Sequence, residues 1–80
     1  MAKITANGNT EVGRFTTEDR NASGGITKRQ FLLRSDGKVL RRWHNGERWE
    51  GWTIINVRGW DGTLTGLATR LVGAGYNVVD

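Results

Sequence analysis

The sequence predicts an α+β fold, a small antiparallel β-sheet of four to five strands arranged as a meander with a central hairpin and covered by one C-terminal amphipathic helix. Three observations carry this. Two strand-like runs between Ile26 and His44 flank Ser35-Asp36-Gly37-Lys38, a turn with glycine placed to take the left-handed conformation. Trp49 to Arg58 then holds Trp52, Ile54, Ile55 and Val57, the β-branched and aromatic residues that suit a pleated, half-buried surface. Leu64, Leu67, Ala68, Leu71 and Val72 recur at the spacing of one helical face, which predicts a helix near 62–73.

In chain order, residues 2–17 mix Ile4, Val12 and Phe15 with threonines around an Asn7-Gly8-Asn9 break, the pattern of two short strands joined by a turn. Glu18 to Gly25 has no apolar periodicity and ends in two glycines, so 18–25 is expected as a mobile loop. For the hairpin, a type I turn with a Gly37 bulge sets Leu33 against Val39 and Phe31 against Arg41. Phe31, Leu33, Val39 and Trp43 then share one face, and Lys28, Gln30, Arg34, Lys38, Arg42 and His44 share the other, around Leu32 and Leu40. A two-residue loop would scatter both sets. His44 to Arg48 supplies the next turn. Asp61 or Thr63 can cap the helix, Arg70 suits its last turn, and Gly73 and Gly75 can stop it. Tyr76 to Val79 is expected as a short final strand, at the sheet edge or between other strands.

The chain has 80 residues, with twelve Lys and Arg against eight Asp and Glu, one His, twelve Gly, four Trp and neither Cys nor Pro. A single domain over 1–80 follows, since a chain of this size buries only ~60% of the surface its unfolded form exposes. Without cysteine, disulfides, thiolate nucleophiles and Cys-based metal sites are excluded. Residues 1–8 hold no apolar run suited to a signal peptide, and no stretch approaches the roughly 20 apolar residues of a membrane span. A cytoplasmic protein with no membrane partner is expected.

Little in the chain suits catalysis. His44 lies in a polar turn, and no spacing joins it to Ser23 or Ser35 as a nucleophile pair. Glu47 and Glu50 flank Arg48 at a turn, where a surface ion pair explains them, and a metal site from Asp36, His44 and Glu47 is no better supported. Gly59-Trp60-Asp61-Gly62-Thr63 matches neither phosphate-loop pattern, and Asp61 would oppose a phosphate at the helix start. No enzymatic activity, cofactor or metal is expected.

The charge map is more informative. Residues 1–27 are neutral and 49–80 carry a net of −1, so the whole excess lies in 28–48, where Lys28, Arg29, Arg34, Lys38, Arg41, Arg42 and Arg48 oppose only Asp36 and Glu47. A concentrated basic face attracts a phosphate backbone, although exposed strands also carry cations simply to stay soluble and unpaired. Trp43, Trp49, Trp52 and Trp60 crowd into eighteen residues. Trp43 and Trp52 are expected in the core, and Trp49 and Trp60 partly exposed as stacking or anchoring groups.

The opening Lys3-Ile4-Thr5-Ala6-Asn7-Gly8 with Glu11-Val12 and Phe15, the hairpin Phe31 to Leu40, and the ending Leu71-Val72-Gly73-Ala74-Gly75-Tyr76-Asn77-Val78 together resemble small uncharacterised proteins encoded by phages of actinobacteria. The resemblance implies a phage accessory protein acting in the host cytoplasm, with no catalytic residue to carry over. The resemblance leaves the kind of partner open; from the basic face, the expected function is a small binding module that holds nucleic acid through Lys28, Arg34, Lys38, Arg41 and Arg42, with Trp49 nearby. The alternative is a host-protein inhibitor or homo-oligomeric interaction module, using exposed Trp and Leu rimmed by Arg. A minor virion component is a third possibility.

Overall fold

Asp36 and Gly37 reverse the chain as the bulged turn requires. Gly37 has φ 84°, its N–H donates to the Arg34 carbonyl at 3.0 Å, and the Arg34 N–H donates to the Lys38 carbonyl at 2.9 Å. Leu33 consequently faces Val39 and Phe31 faces Arg41, the register expected from side-chain segregation. The computed structural model describes residues 10–80, so the first of the two N-terminal strands and its Asn7-Gly8-Asn9 turn lie outside the described residues.

Among the described residues, β1 (Glu11–Arg20), β2 (Ile26–Arg34), β3 (Val39–Trp43) and β4 (Thr53–Ile55) precede one helix, α1 (Leu64–Gly73). The strands form an open antiparallel sheet in the order β1-β2-β3-β4, each beside its neighbour in sequence. The helix starts where Thr63 Oγ1 accepts the Gly66 N–H at 2.9 Å, and Asp61 in turn accepts the Thr63 N–H at 3.0 Å. At its other end the Tyr76 N–H donates to the Leu71 carbonyl at 3.1 Å, with Gly75 at φ 96°. No described helix is long and apolar enough to cross a membrane.

Several boundaries differ from expectation. The loop expected from Glu18 is strand through Arg20, because Glu18, Asp19 and Arg20 pair with Lys28, Thr27 and Ile26. Only 21–25 turns, organised by Asn21 Oδ1, which accepts the N–H groups of Ser23 and Gly25 at 3.1 and 3.0 Å. The strand expected over 49–58 is reduced to the three residues of β4, preceded by a single bridge between His44 and Trp49. The expected final strand is a short edge segment. Val78 bridges Thr17, and Val79 N–H donates to the Thr16 carbonyl at 2.9 Å, so the C-terminal residues lie along β1.

Phe31, Leu33, Val39, Leu67 and Leu71 form the core between sheet and helix, and Phe15, Leu64, Trp60 and Tyr76 pack around them. Burial of that apolar set is the main stabilising term. The tryptophans do not divide as expected. Trp43 shares the core face but is 43% exposed, because it stands beyond the end of the helix cover. Trp52 is on the other side of the sheet. Trp49 and Trp60 are partly exposed as expected, and Trp60 also packs on the core, its Nε1 donating to the Thr63 carbonyl at 2.8 Å. Val72, assigned to the apolar helical stripe, is 61% exposed.

Candidate nucleic-acid interface

Strand alternation decides which cations can act together. The face of the sheet away from α1 carries Lys28, Gln30, Leu32 and Arg34 from β2, with Arg14, Thr16 and Glu18 opposite them on β1 and Leu40 and Arg42 on β3. Four of the six expected interface residues, Lys28, Arg34, Lys38 and Arg42, therefore belong to one side. Arg41 does not. It stands opposite Phe31 and so belongs with the residues under the helix, which removes it from this interface. Its neighbourhood in sequence is cationic, but parity puts it on the other surface.

The centre of the outer face is a cation–indole cluster. The Arg42 guanidinium carbon lies 4.4 Å from the Trp52 ring centroid and 4.9 Å from that of Trp49. Arg14 approaches the same Trp52 ring at 5.4 Å. Gln30 Oε1 accepts from Arg42 Nε at 2.9 Å and from its terminal nitrogen at 2.6 Å, which fixes the plane of the guanidinium. His44 meets Trp49 edge to face, with ring centroids 5.2 Å apart. Trp49 is thus where a binding aromatic was expected. Gln30 lies on the face where the hairpin register put it; Trp52 and Arg14 are additions to that face, and Trp52 has the parity of Ile54, which pairs with the outward Leu40.

Charge is partly compensated on this face. Glu11 accepts from Arg14 Nε at 2.9 Å, and this hydrogen bond raises the Arg14 pKa. Desolvation, followed by repulsion from Arg14, lowers that of Arg42. Arg34 is almost buried and donates to both Asp36 carboxylate oxygens, at 2.9 and 2.6 Å. That hydrogen bonding holds the Asp36 carboxyl well down, at about 2. Arg34 thus braces the turn, and a phosphate would have to displace Asp36 to reach it. Lys28 and Lys38 are exposed, with no ion pair among the described residues, although Lys28 faces Glu18 across the ladder. Leu32 is buried and Leu40 half-buried, so neither supplies an exposed apolar anchor beside the indoles.

The helix start is closed to an anion by its own side chains. The Asp61 carboxylate accepts the Thr63 hydroxyl at 2.7 Å, its pKa is lowered by the Thr63 bonds, and Thr63 occupies the Gly66 amide. No group of three or more His, Asp or Glu suited to a metal comes together among the described residues. In comparisons with known proteins, no family model matches the chain, and neither does any curated protein or solved structure.

Proposed function

We propose that this chain is a small non-catalytic binding module that holds single-stranded nucleic acid on the outer face of its sheet. The observation that carries the proposal is the Arg42 guanidinium placed over both Trp49 and Trp52 at 4.9 and 4.4 Å, on the face that α1 leaves uncovered. Indole and guanidinium planes stack with any base, and a cationic surround follows the backbone, the combination that serves single strands. Lys28 and Lys38 supply the phosphate contacts and Arg42 contributes both effects. Because Arg14 and Arg34 are paired with acids, stacking carries more of the affinity than phosphate neutralisation does. The resemblance of residues 3–8, 31–40 and 71–78 to phage-encoded proteins supports an accessory role in a host cytoplasm.

Titration of the intrinsic tryptophan fluorescence with a single-stranded oligonucleotide at several salt concentrations tests this. Quenching should saturate, Trp52→Ala should weaken binding about tenfold or more, and log K should fall with log salt by about 0.7 for each phosphate contact. Lys28→Ala, at an exposed position, should reduce that slope by one contact while leaving the fold intact. Absence of quenching at about 50 mM salt, where counterion release favours binding most, would overturn the proposal. Retention of a stoichiometric protein from a nuclease-treated host lysate would favour the alternative, a protein-binding module.

A further inference from the structure

The opposite side of the sheet holds a second concentration of arginine that the outer face does not explain. Two hollows lie on this side, one of them against the C-terminal end of α1. The larger, about 500 Å³, is bordered by Arg41, Arg58 and Arg70 over an apolar wall that includes Phe31, Leu71 and Tyr76. The smaller, about 320 Å³, is bordered by Arg29, Arg41, Trp43 and Tyr76. Arg41 and Tyr76 belong to both, so the hollows adjoin. No acidic residue lines either one.

Four guanidiniums therefore surround a concavity with little compensation. Asp19 approaches Arg29 at 3.9 Å from outside the hollows, and Arg41, Arg58 and Arg70 form no ion pair among the described residues. Arg41 Nε is buried without a hydrogen-bond partner. A buried donor left unsatisfied is costly unless something else accepts from it. Aromatic surface accompanies the charge. Arg41 lies 5.6 Å from the ring centroid of the 43%-exposed Trp43, and Arg29 lies 5.5 Å from that of Tyr76.

We infer that this cleft binds a phosphorylated ligand carrying a planar ring, the chemistry shared by a free nucleotide and by the phosphorylated end of a nucleic-acid strand. Guanidinium forks donate to phosphate oxygens in pairs, the larger hollow has the volume of a small-molecule site, and Trp43 offers a ring face beside Arg41. Arg41 and Arg58 hold the phosphate, with Arg70 across the cleft; Trp43 and Tyr76 border the ring. The site is separate from the outer face, since Arg41 and Arg42 leave β3 on opposite sides.

Nuclear magnetic resonance of the full chain tests it, with adenosine monophosphate as the probe and adenosine and inorganic phosphate as controls. The nucleotide should move the Arg41 Nε–H and Trp43 indole signals saturably and bind more tightly than either control. Arg41→Gln should weaken it about tenfold, the effect of losing one charge-assisted contact. Exposed Arg58→Gln should do the same without disturbing the core, and Arg42→Gln should change nothing. Preference for a 5′-phosphorylated oligonucleotide over the free nucleotide would assign the ligand to strand ends, and the reverse to free nucleotides. No saturable shift, a shift insensitive to both Arg41→Gln and Arg58→Gln, or one confined to Trp52 would overturn the inference. Because Arg42→Gln and Trp52→Ala report on the outer face alone, either surface can fail without the other.

Discussion

Arg42 and Trp52 meet across the outer face with the guanidinium carbon 4.4 Å from the indole centroid, while Gln30 accepts two hydrogen bonds from the same guanidinium. A planar cation fills both demands at once; an ammonium cannot. Arg42→Lys should therefore cost about 1–2 kcal/mol, the sum of weakened cation–π contact and lost fork geometry. Urea unfolding of the two proteins checks it, and equal midpoints would show that the stack contributes nothing to stability.

Acid should loosen the hairpin turn. The Arg34 hydrogen bond, aided by the Lys38 N–H, holds the Asp36 carboxyl at about 2 against an ordinary 3.8. A folded pKa below the unfolded one means the contribution is complete above the unfolded value and disappears as pH falls through about 2. Thermal unfolding followed from above that window down through it should show a falling midpoint, and Asp36→Asn should flatten that limb. An unchanged acid limb in Asp36→Asn would assign the sensitivity to other carboxylates.

Gly37 has open space where a Cβ would stand, so a side chain there is opposed by backbone conformation alone. Gly37→Ala should lose about 1 kcal/mol, and Gly37→Asn less, because asparagine tolerates positive φ better. Equilibrium denaturation of the pair gives both values, and an alanine variant as stable as the parent would show that the turn can change type.

Gly66 should behave unlike most helical glycines. Replacement by alanine inside a helix ordinarily gains about 1 kcal/mol. Here the new Cβ would collide with Asp61 Oδ1, the atom that accepts both Thr63 bonds. Gly66→Ala should thus destabilise the native chain and stabilise an Asp61→Ala chain, a sign reversal that a double-mutant cycle reads directly.

Thr17 is fully buried, and its hydroxyl has no hydrogen-bond partner. Thr17→Val keeps the shape and removes the desolvated group, so it should stabilise by about 1 kcal/mol. A loss of stability on thermal unfolding would mean that the hydroxyl has a water partner in solution.

The hairpin is the part of this molecule most fully written in its sequence, because a period of two and a single left-handed glycine leave one register compatible with a buried Phe31 and Leu33. The same register already excluded Arg41 from the outer face; grouping it with Arg42 followed local charge density and ignored parity. Trp52 was misplaced for a different reason. The strand that follows it keeps only three ladder residues, too few for alternation to be visible after Gly51. Glu18 to Arg20 lack any apolar period, since their strand conformation depends on pairing with β2 and on Asn77 from the far end of the chain. Interactions of that range leave no local pattern.

The bridge between Val78 and Thr17 brings together residues 61 apart, whereas each ladder among the described residues joins strands adjacent in the chain. Closing so long a loop is entropically the slowest contact to secure, so the meander should assemble quickly and the terminal seam should be sealed last. Amides of that seam should accordingly exchange with deuterated water earlier than those of the hairpin. The stored opening would be a latch at the β1 border rather than a loss of the whole molecule.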